Sequence, residues 1–335
     1  MARMTNLAIG DARALCVQAM VAIGHAPTEA VIIADHLIDC ELRGLSFGGL
    51  ARALSIADRV QQYGLSIKPI TITQQTAVSA HLDGGDQVGY VVGQKVTELA
   101  IEKARTGGIA VVGANETWYT GMFSYYLEQV TKAGFAGLIA GSGGQFVAPA
   151  GGTQGRFGTN PIAFGFPTVG TPIIWDIGTS SIMLGEVILA MREGRPLGEG
   201  LAYDASGAST SDPTAALDGG AVSVWGGHKG SGLAMVVQLL GMLCGAAAAP
   251  AGLRDCGFFM LVFNPALIDP ANDFAERAAD YADSLRATRP VDLTDPVRVP
   301  FDRSTAVRAQ QLESGTIEVS DAVHQALLAV AASRQ

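Results

Sequence analysis

An α/β fold with an N-terminal helical subdomain is the architecture that this sequence predicts, and three observations support it. Apolar residues recur at helical spacing through roughly the first sixty positions. After Pro69 the pattern changes to short alternating runs typical of strands, with helical segments between them. The chain has 335 residues, of which 48% are hydrophobic and 16% charged, so it can bury a large core. This composition excludes disorder as the general description.

The helical subdomain is predicted to contain three helices. Asp11 can cap the first and Gly24 can end it, the second runs from about Thr28 to near Gly44, and the third covers roughly 50–63. Aspartate is a favourable N-cap because its side chain accepts a hydrogen bond from a free helix amide. Glycine ends helices because it readily adopts the left-handed conformation.

The rest of the chain alternates between strands and helices. Period-two or short apolar runs predict strands over 70–73, 78–82, 109–112, 135–140, 162–166, 173–176 and 258–263. Helical spacing predicts helices over 91–104, 122–132, 272–285 and 320–332, and another from residue 229. A glycine-dense middle, 141–158, and a link rich in proline and aspartate, 289–300, separate these groups. No internal repeat is present.

The overall charge and the cysteines limit the possible partners and location. Lysine and arginine number 22 against 31 aspartates and glutamates, a net charge of −9, so no nucleic-acid partner is expected. The first residues contain no apolar run typical of a secretory signal. The cysteines lie mostly in apolar runs without a CxxC spacing, which predicts reduced core thiols in a cytoplasmic protein. They are Cys16, Cys40, Cys244 and Cys256.

One uncharged stretch, 230–253, is long enough to be considered as a membrane span. It is rich in glycine and alanine, contains Gln238 and Pro250, and stands alone in an otherwise water-compatible pattern. We therefore interpret it as a fully buried helix, and we expect no association with a membrane.

Common cofactor and metal motifs are missing from the sequence. A Rossmann dinucleotide site needs G-x-G-x-x-G, and the nearest matches, 141–143 and 230–232, lack the third glycine. No Gly-Lys dipeptide is present, which excludes a P-loop. The five histidines show no metal-binding spacing, so no metal ion is predicted.

The segment 44–48, Gly-Leu-Ser-Phe-Gly, matches the nucleophile elbow of serine hydrolases, with Ser46 as nucleophile. That elbow requires a strand before the serine, whereas 30–43 has helical period. A serine hydrolase is therefore kept only as an alternative of a different class.

Glycine-flanked polar clusters, most of them beside an apolar strand, indicate a ligand site of another kind. They are 158–161, Gly-Thr-Asn-Pro; 176–180, Asp-Ile-Gly-Thr-Ser; and 226–230, Gly-Gly-His-Lys-Gly. Backbone amides freed by glycine turns and helix N-termini can hold phosphates without a Rossmann fingerprint. Each cluster is also compatible with an ordinary turn or helix cap.

Together with 43–52, 147–149 and 210–213, these clusters resemble, in order, the type-2 malate/L-lactate dehydrogenase family. The resemblance implies a non-Rossmann mixed-sheet dehydrogenase fold, a nicotinamide cofactor, a small 2-oxo or 2-imino acid substrate and a homodimer. It also implies three units: a helical subdomain, 10–64; an α/β dimerisation domain, 1–9 with 65–115 and 288–335; and a cofactor- and substrate-binding domain, 116–287.

The sequence departs from the family where its catalytic histidine normally stands. The family pattern there is Asp-Ser-His-Gly, but this chain has Ser46-Phe47-Gly48-Gly49, with Gly48 in place of the histidine. A second frequent family histidine, in an Asn-His-Phe-Gly pattern, falls on Trp118 in this chain. A ketone reduced by hydride becomes an alkoxide and needs a proton donor, which typically contributes about 10²- to 10⁴-fold. A cyclic 2-imino acid can be protonated by solvent first, so the missing histidine favours an imine reductase.

The resemblance then implies a role for each candidate residue. Arg52 and Thr159 would bind the substrate, Arg52 through its carboxylate, while Asp176 and Ser46 would serve catalysis. The cofactor would be NADP, with NAD as the alternative. Its expected contacts are Trp118, Tyr119, Thr120, Gly158, Thr159, Asp176, Thr179, Ser180, His228, Lys229 and Gly230. The predicted reaction is reduction of delta-1-piperideine-2-carboxylate or delta-1-pyrroline-2-carboxylate to pipecolate or proline, and the alternative within the family is oxidation of a 2-hydroxy acid.

Overall fold

The structure is a computed structural model that describes residues 3–250 and 252–333. Parts of three predicted segments, namely residues 1–2, 251 and 334–335, therefore lie outside the described residues. The helices are α1 (Ile9–Ala22), α2 (Pro27–Leu42), α3 (Leu50–Tyr63), α4 (Gly89–Gly107), α5 (Phe123–Lys132), α6 (Leu184–Arg192), α7 (Pro213–Leu217), α8 (His228–Leu243), α9 (Phe274–Arg286), α10 (Asp302–Ser314) and α11 (Asp321–Ala332).

The strands form three sheets. They are β1 (Met4–Ala8), β2 (Thr71–Gln75), β3 (Ser79–Val88), β4 (Ile109–Trp118), β5 (Ala136–Gly141), β6 (Val147–Ala148), β7 (Ile162–Phe166), β8 (Ile173–Ile177), β9 (Ala202–Tyr203), β10 (Ser209–Thr210), β11 (Ala221–Ser223), β12 (Phe258–Phe263) and β13 (Thr316–Ser320). The main sheet has the order β2-β3-β4-β12-β5-β7-β8, and of its pairs β3 and β4 alone run parallel. A Rossmann sheet is parallel, so the prediction of a non-Rossmann mixed sheet is confirmed.

The two faces of the main sheet are covered unequally. Alternate residues of a strand point to opposite faces, so Phe258, Met260 and Val262 pack on α4 and α5, whereas Phe259 lies on the side of α8. The first face is a dry core, but on the second Val111 and Trp175 stay 38% and 41% exposed.

The helical subdomain is completed by the far end of the chain. Strand β1 pairs antiparallel with β13, and α11 packs on α1 and α3. Ile317, Val319, Val323 and Leu327 thereby join the core of α1–α3. The buried apolar side chains of 316–332 thus belong to the core of the helices, whereas in 4–8 Leu7 is only partly buried; the predicted grouping of these segments with 65–115 stays a prediction.

The helix α8 corrects the prediction of a fully buried helix. Its inner side packs on the main sheet, but Met235, Val236, Leu239 and Leu243 on its outer side are 46% to 79% exposed. Among the residues that the structure describes, no helix has the length and apolar character needed to cross a membrane.

Candidate active site

One cavity of about 290 Å³ collects about half of the residues predicted to carry function. It lies where the loop between α2 and α3 meets the segments that follow β4, β5 and β8. Arg52, Tyr119, Thr120, Gly158, Thr159 and Asp176 all line it. Trp118, Ser46, Thr179, Ser180, His228, Lys229 and Gly230 do not.

Arg52 brings an uncompensated positive charge to this cavity. Its side chain is half-buried, and its guanidinium lies over the ring of Tyr119, 4.4 Å from the ring centre. No carboxylate of the described residues pairs with it, and its Nη1 is buried without a hydrogen-bond partner. A guanidinium held in this state is suited to a bidentate pair with a carboxylate ligand.

Glu41 holds the helix that carries Arg52, a role that the sequence reasoning missed. The backbone N–H of Leu50 donates to Glu41 Oε1 at 2.6 Å, so the side chain satisfies an amide in the first turn of α3. Gly49 is required there because a Cβ would occupy the place of the Glu41 carboxyl group. Burial raises the pKa of Glu41 to about 8. The sequence offered one signal for this role, since Glu41 is an acidic residue two positions before Arg43.

Asp176 supplies the carboxyl group of the cavity. It lies near the end of β8, and its Oδ2 accepts the backbone N–H of Ser124 at 2.7 Å, at the start of α5. It therefore caps the helix α5, which precedes it in the chain. Desolvation nevertheless outweighs these hydrogen bonds and raises the pKa of Asp176 to about 6. A carboxyl group in this state can change protonation near neutral pH, as proton-transfer groups do.

The segment after β4 is held against the cavity by a neutral histidine. His36 is buried among Tyr90, Tyr125 and Tyr126, and its Nε2 accepts the backbone N–H of Met122 at 2.8 Å. Burial lowers the pKa of His36 to about 3, so it acts as a fixed acceptor and not as a proton donor.

Trp118 requires a correction, because its side chain points away from the cavity. It is 1% exposed, its Nε1–H donates to the carbonyl of Asp86 at 3.0 Å, and the guanidinium of Arg59 covers its ring. Tyr119, with a φ of 51°, is turned to the cavity in its place.

Backbone hydrogen bonds bring the three glycine-flanked clusters together. The N–H of Thr179 donates to the carbonyl of Thr159 at 2.9 Å, and the N–H of Trp225 donates to the carbonyl of Thr179 at 2.8 Å. Thr179 and Ser180 are thus buried behind the cavity wall and do not reach the cavity itself. Asn160 joins this wall to α8, since its Nδ2 donates to the Ala234 carbonyl and its Oδ1 accepts the N–H of Gly143.

The third cluster lies on the surface beside the cavity. His228 and Lys229 are exposed in the first turn of α8. Gly230 is buried, and a Cβ there would collide with the Trp225 carbonyl. Their assignment to the cofactor stays a prediction, and in this structure they make no part of the cavity lining.

Ser46 does not support catalysis by its position. It is exposed in a short 3₁₀ turn, Ser46–Gly48, that follows the helix α2. A nucleophile elbow needs a preceding strand, so the geometry contradicts the serine-hydrolase interpretation. Ser46 lies outside the cavity lining, and its assignment to catalysis stays a prediction.

The cavity wall suits a planar ring. Eight of its lining residues are glycines, among them Gly141, Gly143, Gly144 and Gly158, so a flat group can lie directly on the backbone. Thr120, Ser142 and Thr159 add polar groups for a carboxamide. These features fit a nicotinamide. Among the residues described, no three His, Cys, Asp or Glu side chains are grouped as metal ligands.

The fold and the cavity thus define a non-Rossmann α/β protein whose main cavity contains an arginine and an aspartate. A family model for malate/L-lactate dehydrogenase matches residues 7–328. Malate dehydrogenase of Pyrococcus abyssi is 32% identical over 289 residues, covering 82% of this chain and 80% of that protein. The delta-1-pyrroline-2-carboxylate reductase of Pseudomonas fluorescens is 35% identical over 249 residues, covering 71% of each. The crystal structure of a dehydrogenase from Sinorhizobium meliloti superposes with a TM-score of 0.91 at 29% identity, covering 99% of both chains.

The chain belongs to the malate/L-lactate dehydrogenase family. It is therefore a member of an oxidoreductase family that uses nicotinamide cofactors, and the family resemblance inferred from its motifs is confirmed. The relatives include proteins named for hydroxy acids and proteins named for cyclic imino acids.

Proposed function

We propose that this enzyme reduces a cyclic 2-imino acid, delta-1-piperideine-2-carboxylate or delta-1-pyrroline-2-carboxylate, to pipecolate or proline with NADPH. The presence of Arg52 and Asp176 in one cavity, whose lining among the described residues includes no histidine, is the observation that carries the proposal. Gly48 lines the cavity where the resemblance places that histidine, and it offers no side chain for proton transfer.

The charges of the cavity match those of a protonated imino acid. The iminium form carries a carboxylate and a positive nitrogen, and the cavity offers a guanidinium for the first and a carboxylate for the second. Opposite charges within a poorly solvated site interact more strongly than in water. Asp176 in its ionised form therefore keeps the substrate nitrogen protonated, the form that accepts hydride most readily.

The nicotinamide supplies the hydride when it is bound. The residues of the chain orient the substrate through Arg52 and exclude water with the apolar lining of Phe47 and Met183. We assign NADP over NAD because the imine-reducing members that the sequence resembles use it. Thr159 and Gly158 line the same wall and are placed to contact substrate or cofactor.

Oxidation of a 2-hydroxy acid is the second candidate, and the malate dehydrogenase relative favours it. Reduction of a ketone would require Asp176 in its protonated form, as the donor to the developing alkoxide. The two candidates therefore need opposite protonation states of the same side chain.

This difference gives a direct test through the pH dependence of kcat/KM, which reports ionisations of the free enzyme and free substrate. NADPH oxidation would be measured with piperideine-2-carboxylate, pyrroline-2-carboxylate, pyruvate and oxaloacetate over roughly pH 5 to 9. We expect the imines to react much faster. Their kcat/KM should fall below pH of about 6 as Asp176 is protonated, and again above the pKa of the substrate iminium. Any ketone reduction should instead increase as the pH falls.

Binding of the cofactor is the control for this assay. A specific ligand at about 100 times its dissociation constant stabilises a folded protein by about 2.7 kcal/mol, so NADPH should raise the melting temperature. Comparable kcat/KM on pyruvate and on the imines, with the same pH profile, would contradict the imine proposal. Inactivity on all four substrates despite NADPH binding would indicate a family member with a different or lost activity.

A second copy of the chain is the partner that we propose for the outer side of α8. Its exposed apolar residues, Met235, Val236, Leu239 and Leu243, adjoin the half-covered face of the main sheet. Apolar surface of this extent is costly in water, and in an enzyme it usually marks an interface. A homodimer is the assembly that the family resemblance implies, and the cytoplasmic location stays a prediction.

A further inference from the structure

We infer that the cavity selects substrates with a single anionic group, the carboxylate bound by Arg52, attached to an apolar ring or chain, and that it rejects dicarboxylates. The inference rests on the proposed function for the position of the carboxylate. It concerns the charge and polarity of the rest of the substrate, about which the missing histidine gives no information.

The first observation is the charge of the lining. Among the described residues, Arg52 is the one cationic side chain that lines the cavity, and Asp176 opposes any second anion. The other buried arginines nearby are committed to carboxylates. Arg43 pairs with Asp39 and Glu128, and Arg59 pairs with Asp86.

The second observation is the apolar character of the remaining lining. Leu45, Phe47, Met183, Leu184 and Leu253 all contribute to it. A Cβ at Gly48 would lie in ordinary contact with Cys40 Sγ, at 3.5 Å. The absence of a larger side chain at Gly48 therefore leaves room beside an apolar wall, where a substrate ring or alkyl chain can be buried.

These two observations favour substrates with one negative charge and disfavour substrates with two. A ring or chain gains from contact with the apolar wall, whereas a second carboxylate would be desolvated there without a counter-charge. Malate, the substrate named for one of the relatives, carries two carboxylates. We therefore expect this chain to differ from such relatives in its selectivity for substrate charge as well as in its proton donor.

Two matched substrate pairs test the inference independently of the bond that is reduced. Piperideine-2-carboxylate and tetrahydrodipicolinate share the cyclic imine and differ chiefly by a second carboxylate, while 2-oxobutyrate and oxaloacetate are the corresponding ketones. We expect kcat/KM to favour the monoanion at least about a hundredfold in each pair that reacts measurably. A ratio near one would overturn the inference. If the enzyme showed no preference for imines over ketones but still favoured monoanions over dianions, the proposed function would be wrong and this inference would stand.

A second cation introduced into the lining should relax the selectivity. We expect Leu184→Arg, in the first turn of α6, to raise the relative kcat/KM for the dianion at least about tenfold. Met191→Arg on the same helix is the matched control, since Met191 is 39% exposed outside the cavity and should leave the ratio unchanged. An unchanged ratio in a folded Leu184→Arg enzyme that binds NADPH would contradict the charge explanation. If that variant does not fold, Met183→Lys provides the same test.

Discussion

Asp176→Asn should make the protein more stable while it removes most of the activity. The ionised Asp176 carboxylate is desolvated in the cavity wall, and its pKa rises from an ordinary 3.8 to about 6. Asparagine keeps the shape and an oxygen that can accept the N–H of Ser124, and it is a good helix cap. It carries no charge, so the cost of holding an ion in this place disappears.

The magnitude follows from the pKa. Below about pH 3.8 the carboxyl group is protonated in both the folded and the unfolded chain and costs nothing. As the pH rises towards 6 the unfolded chain loses this proton first, so the folded state is progressively destabilised and the loss is complete above that pH. One pKa unit corresponds to about 1.4 kcal/mol. A pKa raised from 3.8 to about 6 therefore costs about 3 kcal/mol, or about 2 where cavity water solvates the side chain.

Chemical and thermal unfolding of both proteins at pH 5 and pH 7.5 would measure this difference. At pH 7.5 the free energy of unfolding of Asp176→Asn should exceed that of the wild type by about 2 to 3 kcal/mol, equivalent to about 3 to 4 °C in melting temperature. The gain should be smaller at pH 5, and kcat for the imine should fall. The exposed Asp204, whose pKa is lowered mainly by a hydrogen bond from Ser206, is the control, and Asp204→Asn should give no gain. Equal stability of wild type and Asp176→Asn at both pH values would refute the reasoning.

Three further expectations concern Arg52, Gly185 and α8. Arg52→Ala should raise KM for the carboxylate substrate at least about tenfold with NADPH affinity nearly unchanged, because a lost ion pair to the substrate weakens substrate binding alone. Gly185→Ala should also raise KM for the carboxylate substrate, but less, because its new Cβ would occupy the space of Arg52 Nη2. If either variant lost NADPH affinity as much as substrate affinity, the substituted residue would have a structural role instead. Leu239→Asp should convert the proposed dimer into monomers in sedimentation experiments, and a wild type that sediments as a monomer would refute the dimer.

The main elements of the fold could be predicted because local periodicity determines them. The strands at 162–166 and 258–263 match their predicted bounds, and the α3 and α5 helices agree to within a residue. Helix α10 escaped prediction because none of its residues is buried, so its sequence shows no apolar face. The strands β1 and β13 escaped because a short edge pair depends on a partner more than three hundred residues away.

The sequence predicts those residues of the candidate site that belong to a motif. It does not predict which way a side chain points, because packing in three dimensions decides that. Arg52, Asp176 and Thr159 reached the cavity as expected. Trp118 and Tyr119 are adjacent aromatics, and one residue of register decides which of them faces the cavity. Glu41 was missed because the amide that it caps, Leu50, lies beyond the loop and is paired only in three dimensions.

The strands β4, β5 and β12 are synthesised in an order that differs from their order in the main sheet. Strand β12 lies between β4 and β5, although about 120 residues of chain separate it from β5 and it is made last of the three. Until it inserts, both neighbours present unpaired backbone to other chains and the helices α4 and α5 have no complete surface to cover. The nascent chain is therefore most prone to aggregation over that interval, and this is where binding by a chaperone would most improve its yield.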